Sequence, residues 1–378
     1  MGSVSAPLSG LDASLLEILL SPSPKSPQES AAFGSTFTNH MLLVEWDSTV
    51  GWKAPRIVPY GSLALSPAVN VLHYSSTCFE GMKAFRGNDG KLRLFRPSMN
   101  LARFNRSAAR IGLPTVDEDE LLKLIWKFLE VDQSFIPNKQ GHSLYLRPTM
   151  IATNPDLALV MPTSALLFLI ASPVGSYYKS GFKAITMETV PSVRAWPGGV
   201  GDFKVGPNYG PSVVPHHQAH LNGSNQTLWL IDGDRITEAN GMNIFAVIRS
   251  KDSEKLELAT PPLDGLILSG VTRDSVLKLA REKLASSSFH VSERKLTMME
   301  LQEASSEGRL RELFGTGTAV VILPVRLLKW KEKGVAISCG LNNDQEAGDV
   351  ATEMKRWIED VQFGQEKHEW GVSMPLSK

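Results

Sequence analysis

Cysteine is nearly absent. The 378-residue chain has two, Cys78 and Cys339. Two thiols cannot build a disulfide framework, and no Cys-x-x-Cys or Cys/His spacing suggests zinc, so both read as ordinary reduced thiols with no metal site. Net charge is lacking too. Lysine plus arginine and aspartate plus glutamate both total 39. A neutral chain without a basic block is not built to bind nucleic acid, although a small anion needs only a local positive site. Arginine is missing from the first stretch: the first is Arg56, after the acidic Asp12, Glu17, Glu29 and Glu45. A mitochondrial presequence would be Arg-rich and poor in acids, so a cytoplasmic location is expected. Long apolar runs are also scarce. Residues 157–178 carry no charge, but Pro162 and Pro173 interrupt them. Two buried strands around a turn fit that stretch better than a membrane span.

What is present reads as a two-domain α/β (α+β) protein. Residues 1–38 are rich in Ser, Pro and Gly and are expected to be largely disordered, apart from a short helix at 13–20. A smaller N-terminal α/β domain is expected over 39–174. It carries strand-like runs at 41–46, 61–65, 91–95, 143–150 and 164–171, and helical periodicity at 101–111 and 119–131. Residues 175–182 are expected to be a linker. A larger domain follows over 183–378. It begins with a Gly-rich loop around Lys204, then a helix at 211–221 and a hairpin turning at Asp232-Gly233-Asp234. A strand at 243–248 and helices at 271–284 and 351–362 complete it.

Five features could carry chemistry, and each alone also fits an ordinary structural role. Lys204 lies among five glycines between Gly198 and Gly210. Glycine lets backbone approach a bulky ligand, and a lysine there can reach a carbonyl to form a Schiff base. Glu238 ends a hairpin strand, where a carboxylate flanked by apolar residues could pair with a pyridine nitrogen. Gly270-Val271-Thr272-Arg273 opens a helix whose N–H groups favour a phosphate. Gly315-Thr316-Gly317-Thr318-Ala319 could cradle an oxyanion. Arg103, Arg106 and Arg110 are spaced to share one helical face that could meet a phosphate.

In order along the chain, Leu72-His73-Tyr74, Phe79-Glu80-Gly81, Ala102-Arg103, Tyr145-Leu146-Arg147-Pro148, Arg194-Ala195-Trp196, the 201–209 loop, Thr237-Glu238, the 269–274 turn, the 314–319 turn and His368-Glu369-Trp370 resemble the branched-chain aminotransferases. That family belongs to fold type IV of the enzymes that use pyridoxal 5'-phosphate. The resemblance implies a small N-terminal α/β domain, a larger domain with a pseudo-barrel of strands, and a homodimer whose pockets are completed across a two-fold interface. It implies an amino-group exchange between L-branched-chain amino acids and 2-oxoglutarate. By the same resemblance Lys204 is the Schiff-base lysine and moves a proton at the substrate α-carbon. Tyr209 partners the cofactor 3'-oxygen, and Glu238 its ring nitrogen. Arg103, the N–H groups of Val271 and Thr272, and Thr316 form the phosphate cup. The N–H groups of Thr318 and Ala319 take the α-carboxylate, and Tyr74, Phe79, Tyr145 and Arg147 line the side-chain pocket.

The chain departs from the family pattern at three places. Glu238-Ala239-Asn240-Gly241-Met242-Asn243 stands where Glu-Val-Gly-Thr-Met-Asn is common, so Gly241 replaces a threonine and Asn240 a glycine. Pro207 replaces a second glycine. Val320-Val321-Ile322-Leu323 stands where mammalian relatives carry a CxxC pair. These changes bear on acyl specificity and keep open a same-fold enzyme acting on an unusual aliphatic 2-oxo acid. A D-amino-acid aminotransferase, an aminodeoxychorismate-lyase-like enzyme and a cofactor-binding protein without turnover are the other readings.

Overall fold

The computed structural model describes residues 8–27, 33–175, 182–191, 194 and 196–375. It contains two compact units. One holds the described residues up to Gly175, Lys204–Pro207, and those from Gln362 onward; the other holds the remainder.

The first unit is built on a ten-stranded sheet. Its longest pairing is antiparallel, Ser143–Ala152 against Ser164–Val174. His40–Asp47 flanks this pair on one side, and Met82–Arg86 and Leu92–Phe95 on the other. Three helices accompany the sheet: α1 (Asn70–Tyr74), α2 (Pro97–Arg110) and α3 (Glu118–Val131). Proline opens α2, where its missing N–H costs nothing. Asp117 caps α3 by accepting from the N–H groups of Asp119 and Glu120, and three acidic residues fill its first turn. Asn100, Arg103, Phe104 and Ser107 fall on the buried stripe of α2, while Arg106 and Arg110 are exposed. The expected shared basic face is therefore corrected: the helical period turns Arg103 inward and leaves the other two outside.

Three further expectations change. Residues 8–27 are not a disordered tail. Ala13–Leu15 is one 3-10 turn rather than the start of a longer helix, and Glu17–Ile18 pairs in parallel with Arg56 and Ile57. Leu11 is buried, which anchors the segment. Among the described residues of the stretch, 157–175, there is one strand, Ser164–Val174, and not two. Leu157, Leu159, Val160 and Met161 lie exposed in the connection, because Pro155 and Pro162 supply no ladder donors. The chain end joins the first unit: Gly371–Ser373 pairs with Leu92–Phe95, and the Arg96 guanidinium lies 4.3 Å from the Trp370 ring centroid. Of the expected linker at 175–182, residues 176–181 lie outside the described residues.

The second unit is also a ten-stranded sheet with helices α4 (Val213–Leu221) and α5 (Val271–Lys283). Its strand path runs from Phe289–Glu293 through Leu256–Thr260, Asn243–Arg249, Leu310–Gly317 and Val321–Trp330 to Ile185–Pro191, Gln226–Ile231, Arg235–Ala239 and Leu296–Thr297. The first and last strands of that path are separated in sequence by Arg294 and Lys295 alone. The two end strands thus follow one another directly in the chain, in keeping with the expected pseudo-barrel. Its core packs Met187, Leu228, Ile236, Ile244, Leu313, Leu323 and Val325 with little or no exposure. The expected hairpin forms, with Asp232 and Gly233 at φ 54° and 87°.

Candidate active site

In the first unit, both backbone groups of Lys204 are fixed. Its N–H donates to Ser107 Oγ on α2 at 2.9 Å, and its C=O accepts from Phe79 N at 3.0 Å. Gly206 is required beside it, since a Cβ there would stand 2.5 Å from Thr77 Cγ2. The Lys204 Nζ lies 4.8 Å from the Phe79 ring centroid, and the Arg147 guanidinium 4.8 Å from the same ring. Arg147 Nη2 donates to Tyr145 Oη at 3.1 Å. Gly81 admits that phenol, because a Cβ there would overlap Tyr145 Oη. Arg147 Nε is buried without an acceptor among the described residues. Lys204, Phe79, Tyr145 and Arg147 thus form one cluster. Tyr74 is not part of it: it sits at the end of α1 and donates to the Leu157 carbonyl at 2.6 Å.

Arg103 is buried and bidentate on Glu80, with Nε–Oε1 2.6 Å and Nη2–Oε2 2.9 Å. Glu80 is wholly buried and also accepts from Asn100 Nδ2 and Gly81 N. Burial pushes its carboxyl up. The Arg103 charge and hydrogen bonds, with the Lys204 charge, more than reverse this and hold it below the usual glutamate range.

In the second unit, Glu238 is 3% exposed, not facing water at an edge. It accepts from Arg194 Nη2 at 3.1 Å and from Leu268 N at 3.1 Å. The Arg194 guanidinium lies 5.0 Å from the Tyr209 ring centroid and 5.7 Å from that of Trp229. Leu268 links this carboxylate to a helix start, since its C=O accepts from Asn243 Nδ2 at 2.9 Å. The Asn243 Oδ1 leaves no space for a side chain at Gly270, the N-cap of α5. Its N-cap glycine has no side chain to cap α5, and the first intrahelical bond runs from Asp274 N to Gly270 O. The N–H groups of Val271 and Thr272 therefore stand ahead of the helical ladder. Asn243 pairs across the sheet with Thr316. Thr316 is 1% exposed, and its Oγ1 has no hydrogen-bond partner among the described residues. A buried hydroxyl without a partner, beside an uncapped helix start, fits a bound phosphate. Thr318 and Ala319 form the half-buried turn that follows.

Two site residues carried no individual role in the sequence reading. Glu80 and Arg194 lay inside quoted motifs, and their signal was a charge set among apolar neighbours. Gly241 gains a physical reason. It sits at φ 75° in a turn closed by Ala239 N to Met242 O at 2.9 Å, and its carbonyl lies 3.0 Å from where a Cβ of Gly317 would be. Glycine is there for the backbone, so its difference from threonine is not itself evidence for an altered substrate.

A family model described as amino-transferase class IV matches residues 77–328. A mitochondrial branched-chain-amino-acid aminotransferase of Saccharomyces cerevisiae is 46% identical over 94% of this chain and 91% of its own. The cytosolic protein of that name from the same yeast is 46% identical over 96% of each chain. The cytosolic one from Mus musculus is 46% identical over 93% of this chain and 90% of its own. Among solved structures, the Escherichia coli branched-chain amino acid aminotransferase aligns with TM-score 0.69 at 23% identity, covering 87% of this chain and 98% of that one. That of Thermobaculum terrenum in its PLP form aligns with TM-score 0.69 at 20% identity, covering 89% and 99%.

Proposed function

The chain belongs to the branched-chain-amino-acid aminotransferases of amino-transferase class IV, and we propose that it exchanges the amino group between L-branched-chain amino acids and 2-oxoglutarate with pyridoxal 5'-phosphate as cofactor. The observation that carries the cofactor is the buried, unpartnered Thr316 hydroxyl beside the uncapped start of α5. Thr316 and the N–H groups of Val271 and Thr272 would hold its phosphate. Lys204 would hold it covalently, Tyr209 would meet its ring oxygen, and Glu238 would meet its ring nitrogen. When bound, the cofactor supplies an electron sink for the bond broken at the substrate α-carbon.

The chain's own groups supply the rest. Lys204 Nζ takes the α-proton and returns it, and its backbone anchors fix where that amine can reach. Arg194 and Leu268 N hold the Glu238 carboxylate in place. The N–H groups of Thr318 and Ala319 receive the α-carboxylate. Phe79 and Tyr145 offer apolar surface to a branched side chain. Arg147, whose buried Nε lacks an acceptor, offers a charge-assisted contact to a second carboxylate. One pocket can thereby take both leucine and glutamate.

The test is amino-group exchange by the purified protein. L-leucine with 2-oxoglutarate gives glutamate, and Lys204→Ala abolishes both turnover and the visible absorbance of bound cofactor. Arg147→Ala raises KM for 2-oxoglutarate about tenfold or more and that for leucine less, as expected when one buried charge-assisted contact is lost. Turnover with glutamate but not with leucine would sink the branched-chain assignment.

The protein acts as a homodimer in this proposal. Leu157, Leu159, Val160 and Met161 are exposed next to Tyr74, a larger apolar display than a monomer usually leaves in water. Sedimentation at twice the 41.4 kDa chain mass checks it; a monomer at working concentration would rule it out.

A further inference from the structure

We propose that His216 and His220 form a chelating site for one divalent transition-metal ion on α4. The two residues are four apart on a nine-residue helix and therefore share a face. Their rings are 4.6 Å apart and edge-on at 78°, and the two Nε2 atoms approach to 3.2 Å. The two Nε2 atoms face one another across an N–H···N hydrogen bond whose donor depends on the tautomer, and a cation in place of that proton would meet both lone pairs. A cation fits the spacing. With metal–nitrogen distances of about 2.1 Å, nitrogens 3.2 Å apart subtend about 100° at the ion, between the octahedral and tetrahedral angles.

His216 would ligate as the neutral imidazole. Its Nδ1 is buried on the protein side, so Nε2 is the nitrogen it presents. His220 is exposed, which leaves the remaining coordination positions to water. Among the described residues no group of three or more His, Cys, Asp or Glu side chains could hold a metal. The donors here are two imidazoles alone. That set suits copper, nickel and zinc and does not suit magnesium or calcium, which want oxygen. His217 lies one residue on, about 100° round the helix, and serves as the control. The site is outside the proposed catalytic groups, so it does not depend on the proposed reaction.

The experiment uses the untagged full-length protein, freed of metal with a chelator and titrated with Cu2+, Ni2+ and Zn2+ by calorimetry. One ion should bind per chain, with Cu2+ tightest and Mg2+ unable to displace it. His216→Ala and His220→Ala should each weaken binding at least tenfold, and His217→Ala should leave it unchanged. Ni2+ should raise the thermal midpoint of the wild type and of His217→Ala but not of the other two variants, since an ion that binds only the folded helix stabilises it. Alanine favours helix, so His220→Ala at an exposed site keeps the fold, which circular dichroism verifies. No binding by the wild type, or undiminished binding in either variant, overturns the proposal.

Discussion

Thr316 shows how much one side chain can reveal. A hydroxyl that is buried without a partner costs stability, on the order of 1–3 kcal/mol. Such a group persists where something else supplies its hydrogen bond, and in the proposed function a phosphate oxygen does so. Thr316→Val keeps the shape and removes the hydroxyl, so the two effects should separate. The cofactor-free variant should unfold at a higher urea concentration than the wild type. Its affinity for pyridoxal phosphate should fall by about tenfold, the equivalent of one lost hydrogen bond of roughly 1.4 kcal/mol. Urea unfolding of both apo-proteins and cofactor titration read the two arms. A variant that loses stability without losing affinity would mean that the hydroxyl serves the fold instead.

At the scale of elements, the turn between Arg235–Ala239 and Asn243–Arg249 sets the spacing of Glu238 and Asn243. Gly241 holds this turn at φ 75°, and Gly317 lies against its carbonyl. Gly241→Thr, which restores the family's common residue type, should therefore destabilise the protein by about 1–2 kcal/mol, because a β-branched side chain is strained in the left-handed region. A lower urea midpoint checks this; an unchanged one would show that the turn can adopt another conformation. This turn also marks what the sequence alone could and could not reveal. Periodicity and caps located α2, α3, α5 and the Asp232-Gly233 hairpin, because those signals are local. The glycine-for-threonine difference looked like a change of substrate, and only the backbone angle shows its role. Glu80 and Arg194 were hidden for the same reason: their partners, Arg103 and Glu238, lie 23 and 44 residues away. The loop at 157–162 misled because apolar residues usually mark strands, whereas prolines here leave them exposed.

For the whole molecule, acidic groups held as carboxylates set the response to pH. Glu80 lies below the usual range in the first unit, where Arg103 outweighs burial. Glu257 lies below it in the second, first through its hydrogen bonds to Arg294, which Ser292 reinforces. A carboxyl whose folded value is lowered contributes stability at pH values above its unfolded one, near 4.3 for glutamate, and loses that contribution as pH falls through the folded value. The urea midpoint should therefore be flat near neutrality and fall steadily below about pH 5. Glu257→Gln gives a group that no longer titrates. Its midpoint should start lower at pH 7, because Arg294 keeps Glu300 but loses a partner. It should then decline less than the wild type on acidification, so the two curves converge at low pH. Parallel curves would mean that Glu257 titrates alike in the folded and unfolded chains, and that the acid response arises at other carboxylates.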